Sequence, residues 1–253
     1  MPKPNVAVVS PIYRPQPSPI EDISLRRRGE ILGDYKSFWI APDTLDTTPY
    51  DKYGDVETLS FSPGHFLDNK TYSRLLLRED FYAAFAAYDY VLIYQTDAFV
   101  FRDALEEFCS TGDHYFGAPF PQGYAWPNYS FRGVSHVLNR FPFLLPRRKA
   151  YVGNGGFSLR HVGATRELLQ KDGFASRTYR GHEDIYFATR IFTKWKDAYK
   201  ICDLDTAYRF ALDQEPGEGL KRLGGKLPFG CHAWEKFEPE VWRPIFASLG
   251  YEF

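Results

Sequence analysis

The chain of 253 residues is 44% hydrophobic and 25% charged, enough to bury a full core, and it reads as one α/β domain over residues 1–253. A formal net charge of −1 gives no ground for specific nucleic-acid binding, and three cysteines without a CxxC pair, Cys109, Cys202 and Cys231, fit reduced thiols better than a disulfide framework or a structural zinc site. No apolar run reaches membrane-spanning length, and the start MPKPNVAVVSPIY lacks a basic stretch followed by an apolar one. A cytoplasmic protein with reduced thiols is therefore expected, open to peripheral membrane contact.

Residues 5–10 form a short β-rich run closed by Pro11, which predicts a first parallel strand with a ligand-facing loop after it. Residues 20–32 place Ile20, Ile23, Ile31 and Leu32 around Arg26, Arg27 and Arg28 and predict an amphipathic helix that stops near Gly33. Strands follow at residues 36–41 and 56–61. Residues 68–88, with Leu75, Leu76, Phe81, Phe85 and Tyr88 on offer for one apolar side, predict a helix, and the buried strand at 91–94 comes directly after it. This alternation favours a three-layer α/β/α sandwich with a mostly parallel central sheet.

Residues 114–118 predict another strand. Residues 119–149 are rich in Pro, aromatic and basic residues and read as a long functional loop. Regular structure resumes at 157–159, with helices expected at 162–171 and 183–192 and a late strand at 199–202. Between residues 126 and 200 there are fourteen Lys/Arg against five Asp/Glu, a bias suited to a nucleotide diphosphate, an anionic acceptor or a membrane surface. Aromatic residues make up 18% of the chain, and their flat faces suit sugars and bases as well as a core.

Four segments carry candidate chemistry. In YVLIYQTDAFVF (90–101), Gln95, Thr96 and Asp97 interrupt an apolar run at a strand end, where open α/β sheets collect ligands. Asp97 can ligate a hard divalent cation, and Gln95 offers a carbonyl oxygen without charge. His232, in a glycine-containing turn within PFGCHAW (228–234), is the best second ligand; a carboxylate with an imidazole suits Mn²⁺ better than Mg²⁺. In VGNGGFSLR (152–160), Asn154, Gly155 and Gly156 let backbone approach a ligand closely. Glu183 and Asp184, in GHEDI (181–185), stand at an expected helix start, where one of them can take a proton from an attacking hydroxyl.

Taken in order from about Tyr72 to Trp234, with YSRLLL and HYFGAPF added, these segments resemble a family of uncharacterised bacterial and fungal domains associated with glycosyltransferases of the GT-A architecture. The resemblance implies a metal-dependent transferase in which Asp97 matches the strand-end metal carboxylate and His232 a late ligand. Gln95 departs from the first Asp of the usual Asp-x-Asp motif, which weakens the implied metal dependence. It further implies that Pro11, Tyr13 and Arg74 help bind nucleotide, with Gln95 and Thr96 at the donor ribose or phosphate. Gly155 and Gly156 resemble the acceptor-holding stretch of inverting members, and the pair Glu183 and Asp184 their base, with Asp184 preferred. Trp126 belongs to an expected acceptor side within residues 119–149. The expected partners are a nucleotide-sugar donor and a glycan or other hydroxyl acceptor. A nucleotidyltransferase and a non-catalytic carbohydrate-binding protein are the rival readings.

Overall fold

The computed structural model describes residues 5–126, 148–190 and 194–253. Six strands form the main sheet: β1 (Val6–Pro11), β2 (Ser37–Pro42), β3 (Val56–Phe61), β4 (Tyr90–Tyr94), β6 (Tyr115–Trp126) and β7 (Arg148–His161). Their order is β3-β2-β1-β4-β7-β6. The first four run parallel, and β7 enters antiparallel to both β4 and β6. The sheet is thus mixed with a parallel heart, as the alternation of elements predicts.

Strands β1 and β4 are buried at every position, and apolar at all but Ser10, because both of their faces are covered. Val6 and Val8 pack into one core with Tyr94, Phe157, Phe210 and Phe229, while Ala7 and Val9 pack into the other with Leu75, Phe81, Leu168 and Phe187. The first core is closed by α1 (Pro19–Leu32), α4 (Leu105–Cys109) and α8 (Leu204–Phe210). The second is closed by α2 (Asn69–Leu75), α3 (Glu79–Ala83), α5 (Val162–Lys171) and α7 (Glu183–Arg190). Three layers result.

The expected helix over residues 68–88 divides into α2 and α3. Leu75, Leu76 and Leu77 are all buried, and three consecutive residues cannot share one face of a helix. The chain turns instead, with Arg78 extended at φ −94° and ψ 134°. At 199–202 there is no strand, only one parallel bridge from Ile201 to Tyr115. The strand expected at 114–118 runs on to Trp126, so residues 119–126 are ladder rather than loop, with irregular register after Phe116. The rest of that expected loop, residues 127–147, lies outside the described residues, as does the side chain of Trp126.

A second sheet of three short strands has the order β5-β9-β8, from β5 (Ala98–Val100), β8 (Ala211–Leu212) and β9 (Gly230–His232). The residues expected to form a glycine turn before His232 are therefore β9. Gly230 is required there because a Cβ would lie 2.6 Å from the Phe157 ring and 2.9 Å from the Phe99 carbonyl. A third core, with Phe99, Trp234, Trp242 and Phe246, joins this sheet to α10 (Pro239–Ser248). Arg27 of α1 donates to the carbonyls of Val100 and Phe101 at 2.8 and 2.9 Å, fastening α1 to the end of β5.

Candidate active site

In the order β3-β2-β1-β4, the chain winds outward in one direction from β1 and returns to add β4 on the other side, so the carboxyl ends of β1 and β4 flank a crevice. A cleft of about 530 Å³ opens there, lined by Pro11 and Tyr13 after β1, by Gln95, Thr96 and Asp97 after β4, and by Tyr72 of α2. The turn after β4 is held from three sides. The Gln95 N–H donates to the Gly156 carbonyl at 2.9 Å, the Thr96 hydroxyl to Glu21 Oε1 at 3.0 Å, and the Ala233 N–H to the Asp97 carbonyl at 2.9 Å. Glu21 is also the capping-box residue of α1, reaching back to the Ser18 N–H at 2.7 Å, so helix start and turn fix each other.

The antiparallel register sets His232 opposite Ala98, one residue beyond Asp97. His232 Nε2 lies 3.0 Å from Asp97 Oδ1 and 3.1 Å from Gln95 Oε1. Its Nδ1 lies 3.2 Å from Oδ2 of Asp213, and Lys236 Nζ donates to Asp97 Oδ2 at 2.7 Å. Burial opposes charge on Asp97, but His232 and Lys236 outweigh it and hold the carboxyl well below its ordinary range. Burial likewise opposes charge on His232, and the carboxylates of Asp97 and Asp213 more than reverse it, raising the imidazole to about 10.

Asp213, 2% exposed at the end of β8, is a member of the site that the sequence reading missed. It also accepts from the Asn154 side-chain amide, and its Oδ1 is buried without a partner among the described residues. No local signal marks it, since β8 has only two residues and Asp213 meets His232 solely through the pairing of β8 with β9.

The two glycines expected to expose backbone to an acceptor are instead filled by the protein's own side chains. A Cβ on Gly156 would stand 2.1 Å from His232 Nε2, and one on Gly155 would stand 2.5 Å from Glu183 Oε1. They are needed for close approach, and neither has a positive φ. Asn154 likewise turns to Asp213 and to the Gly156 N–H.

Glu183 and Asp184 have separate environments. Glu183 is 5% exposed; its Oε1 pairs with Arg160 Nη2 at 2.9 Å and its Oε2 accepts from Ser73 at 2.8 Å. Arg160 is wholly buried and also donates to Ser158 and Tyr82. Both Glu183 oxygens are thus committed, one to a buried ion pair and the other to a buried hydroxyl. Asp184 accepts from the Ile185 N–H through Oδ1 and has no other hydrogen bond among the described residues. Burial, then the neighbouring Glu183 carboxylate, pushes its carboxyl up to about 7. It sits beside Gly155 and feels His232, and it is not among the residues lining the cleft.

Arg74 departs from expectation. It is exposed and lines a separate cavity with His65 and Arg177 instead of the cleft.

Among the described residues no group of three His, Cys, Asp or Glu side chains is arranged to hold a metal. Asp97 and Gln95 bring a carboxylate and an amide oxygen to 3.0 and 3.1 Å from His232 Nε2, donor types that Mn²⁺ accepts.

Three solved structures share the fold. The S. cerevisiae mannosyltransferase Ktr4p in complex with GDP is 12% identical over 79% of this chain and 69% of its own, with a TM-score of 0.50. Mouse xyloside xylosyltransferase 1 is 9% identical over 89% and 96%, with a TM-score of 0.51. The WbbM bifunctional glycosyltransferase is 10% identical over 93% of this chain and 47% of that one, with a TM-score of 0.54. The architecture is the GT-A-like one of glycosyltransferases. Among curated proteins none matches the chain. The model of one family matches residues 55–232, from β3 to the last residue of β9, and the chain belongs to that family, described as Protein of unknown function (DUF5672).

Proposed function

We propose that this protein is a glycosyltransferase that moves a sugar from a nucleotide-activated donor to an acceptor hydroxyl with inversion. The observation that carries the reading is the cleft at the β1/β4 switch point, where Asp97, Gln95, His232 and Lys236 converge while a raised carboxyl, Asp184, stands across Gly155. The loop after β1 and Thr96 would hold the nucleoside, and Asp97 and His232 a divalent cation at the diphosphate, Mn²⁺ in preference to Mg²⁺. When bound, such a cation neutralises charge gathering on the departing diphosphate. Asp184 would take the proton of the acceptor hydroxyl as the new C–O bond forms and the sugar–phosphate bond breaks. The thiols of Cys109, Cys202 and Cys231 are free and fit a reducing cytoplasm. Among the described residues no helix is long and apolar enough to cross a membrane.

A panel of nucleotide sugars tested for thermal stabilisation, with Mn²⁺ and with chelator, checks the donor half of this reading. Stabilisation by none would overturn it, and pyrophosphate release from a nucleoside triphosphate would point to nucleotidyl transfer.

One contact favours a second reading. Lys236 already neutralises Asp97 and lines the cleft, so its ammonium could meet the diphosphate without a metal. Lys236→Ala would then weaken donor binding equally with Mn²⁺ and with chelator.

Asp213 orients the proposed ligand. By accepting at Nδ1 it leaves His232 Nε2 directed at Asp97 and Gln95, the arrangement by which a carboxylate behind a metal-binding histidine fixes its tautomer. Asp213→Asn is expected to weaken Mn²⁺ binding about 10–100-fold with the fold intact. Calorimetric titration of Mn²⁺ checks this, and unchanged affinity would reduce Asp213 to packing.

Glu183→Gln should act mainly on stability. The substitution leaves the Arg160 guanidinium buried without its counter-charge, and breaking such a pair costs on the order of 3 kcal/mol. Ser73→Ala, which removes only a hydrogen bond to Glu183, should cost about 1 kcal/mol. Urea unfolding of the two variants distinguishes them. A fully stable but inactive Glu183→Gln protein would transfer the base role to Glu183.

A further inference from the structure

We propose that the cavity between the loop after β3, α2 and α6 (Gly173–Thr178) is an anion site, separate from the cleft, that takes a phosphate group. The cavity measures about 440 Å³, and its lining includes Arg74, Arg177, Arg78, His65, Ser62 and Ser176, with no Asp or Glu side chain.

The three arginines are not equivalent. Arg78 is balanced by a two-pronged pair with Asp80. Arg74 and Arg177 have neither an ion pair nor a hydrogen bond among the described residues. The carboxylate that Arg74 influences, Asp68, is engaged in capping the Thr71 N–H at the start of α2. Two uncommitted guanidiniums therefore face one cavity from two different helices. Each presents a planar fork of donors that matches phosphate oxygens in pairs, and the Ser62 hydroxyl adds a neutral donor, whereas that of Ser176 is given to the Gly173 carbonyl. The local field is positive. Burial, then Arg78 and Arg74, push the His65 imidazole below its ordinary value.

Three consecutive residues of α2 reach three different places: Tyr72 lines the cleft, Ser73 binds Glu183, and Arg74 opens on this cavity. The anion site thus shares a helix with the cleft without sharing its volume. One turn before Arg177, Phe174 is 79% exposed, so a phosphate on a lipid headgroup is as accessible a source as a soluble one. Because both arginines are exposed, binding should weaken as ionic strength rises.

The test uses the full chain and two probes: inorganic pyrophosphate, and phosphatidylcholine vesicles with or without phosphatidic acid. Titrating pyrophosphate while following arginine Nε–Hε resonances should shift Arg74 and Arg177. Arg74→Glu/Arg177→Glu, two exposed changes whose fold is checked by melting, should lose about tenfold or more in affinity for the probe that binds. Vesicle binding that needs phosphatidic acid and fails in the double variant assigns a lipid source. Pyrophosphate binding lost in the variant without vesicle binding assigns a soluble one. Unmoved Arg74 and Arg177 resonances with no vesicle binding, or equal affinity in the double variant, would overturn the proposal.

Discussion

Asp97→Ala is expected to lose transfer activity by about 10²–10³-fold, the scale for removing one preorganised group that stabilises developing charge. Its carboxylate lies between two cations, with Oδ1 toward His232 at 3.0 Å and Oδ2 toward Lys236 at 2.7 Å. Removing it takes away the only carboxylate in the turn after β4, the oxygen proposed to hold the cation. It also leaves His232 and Lys236 without their shared counter-charge, so Asp97→Asn, which keeps shape and hydrogen bonding, is the companion variant. Both should retain the fold, since the turn is held through backbone of Gln95 and Asp97 and through Thr96 rather than through the Asp97 side chain. Donor affinity measured by titration with Mn²⁺ and with chelator should differ in the native protein and coincide in both variants. Activity that survives chelation in the native protein, together with a large effect of Lys236→Ala, would replace the metal by the lysine.

The parallel half of the sheet was legible because buried parallel strands leave a strong trace. Residues 5–10, 36–41 and 91–94 contain the short apolar runs VAVV, FWIA and VLIY, each closed by Pro, Ser-Pro or a polar cluster, and they coincide with β1, β2 and β4 within one residue. The small second sheet left no such trace. Strands of two and three residues are shorter than any periodicity, and β5, β8 and β9 exist only through their pairing, β9 with β5 from more than 100 residues away and with β8 across a separate connection. Asp213 was hidden for that reason. The abundance of aromatic residues suits a core as well as sugars and bases, and Phe108, Phe157, Phe210 and Phe229 are core residues in mutual ring contact. Composition reports how many rings there are, and only packing assigns them.

The glycines of VGNGGFSLR teach the same lesson at atomic scale. From sequence, a glycine pair means that something comes close to the backbone; what comes close cannot be read there. His232 and Glu183 occupy that space, from 76 and 28 residues downstream of Gly156 and Gly155. The motif therefore joins the proposed metal ligand to the acidic pair, and substitution of either glycine would push on both.

Asp184→Asn is expected to suppress transfer by about 10²–10⁴-fold while leaving nucleotide binding unchanged, because an amide of the same shape cannot accept the acceptor proton. The division of labour in the acidic pair supports the choice. Glu183 spends both oxygens on Arg160 and Ser73, whereas Asp184 keeps an oxygen without a hydrogen bond among the described residues. With its carboxyl raised to about 7 by burial and by Glu183, activity should climb as pH rises through that value and flatten above it. Stability should move the other way. A carboxyl whose native value lies above its unfolded value of 3.8 holds more protons in the native chain between those two points, so its contribution is most favourable below about 4 and is lost as pH rises through 7. In Asp184→Asn both dependences should vanish together, leaving a slow protein more stable than the native one above pH 7. Parallel pH series of kcat/KM and of unfolding free energy check the pair. A variant that loses activity but keeps the native slope of stability would mean that another group titrates there, and near-normal turnover in the variant would remove Asp184 from the base role.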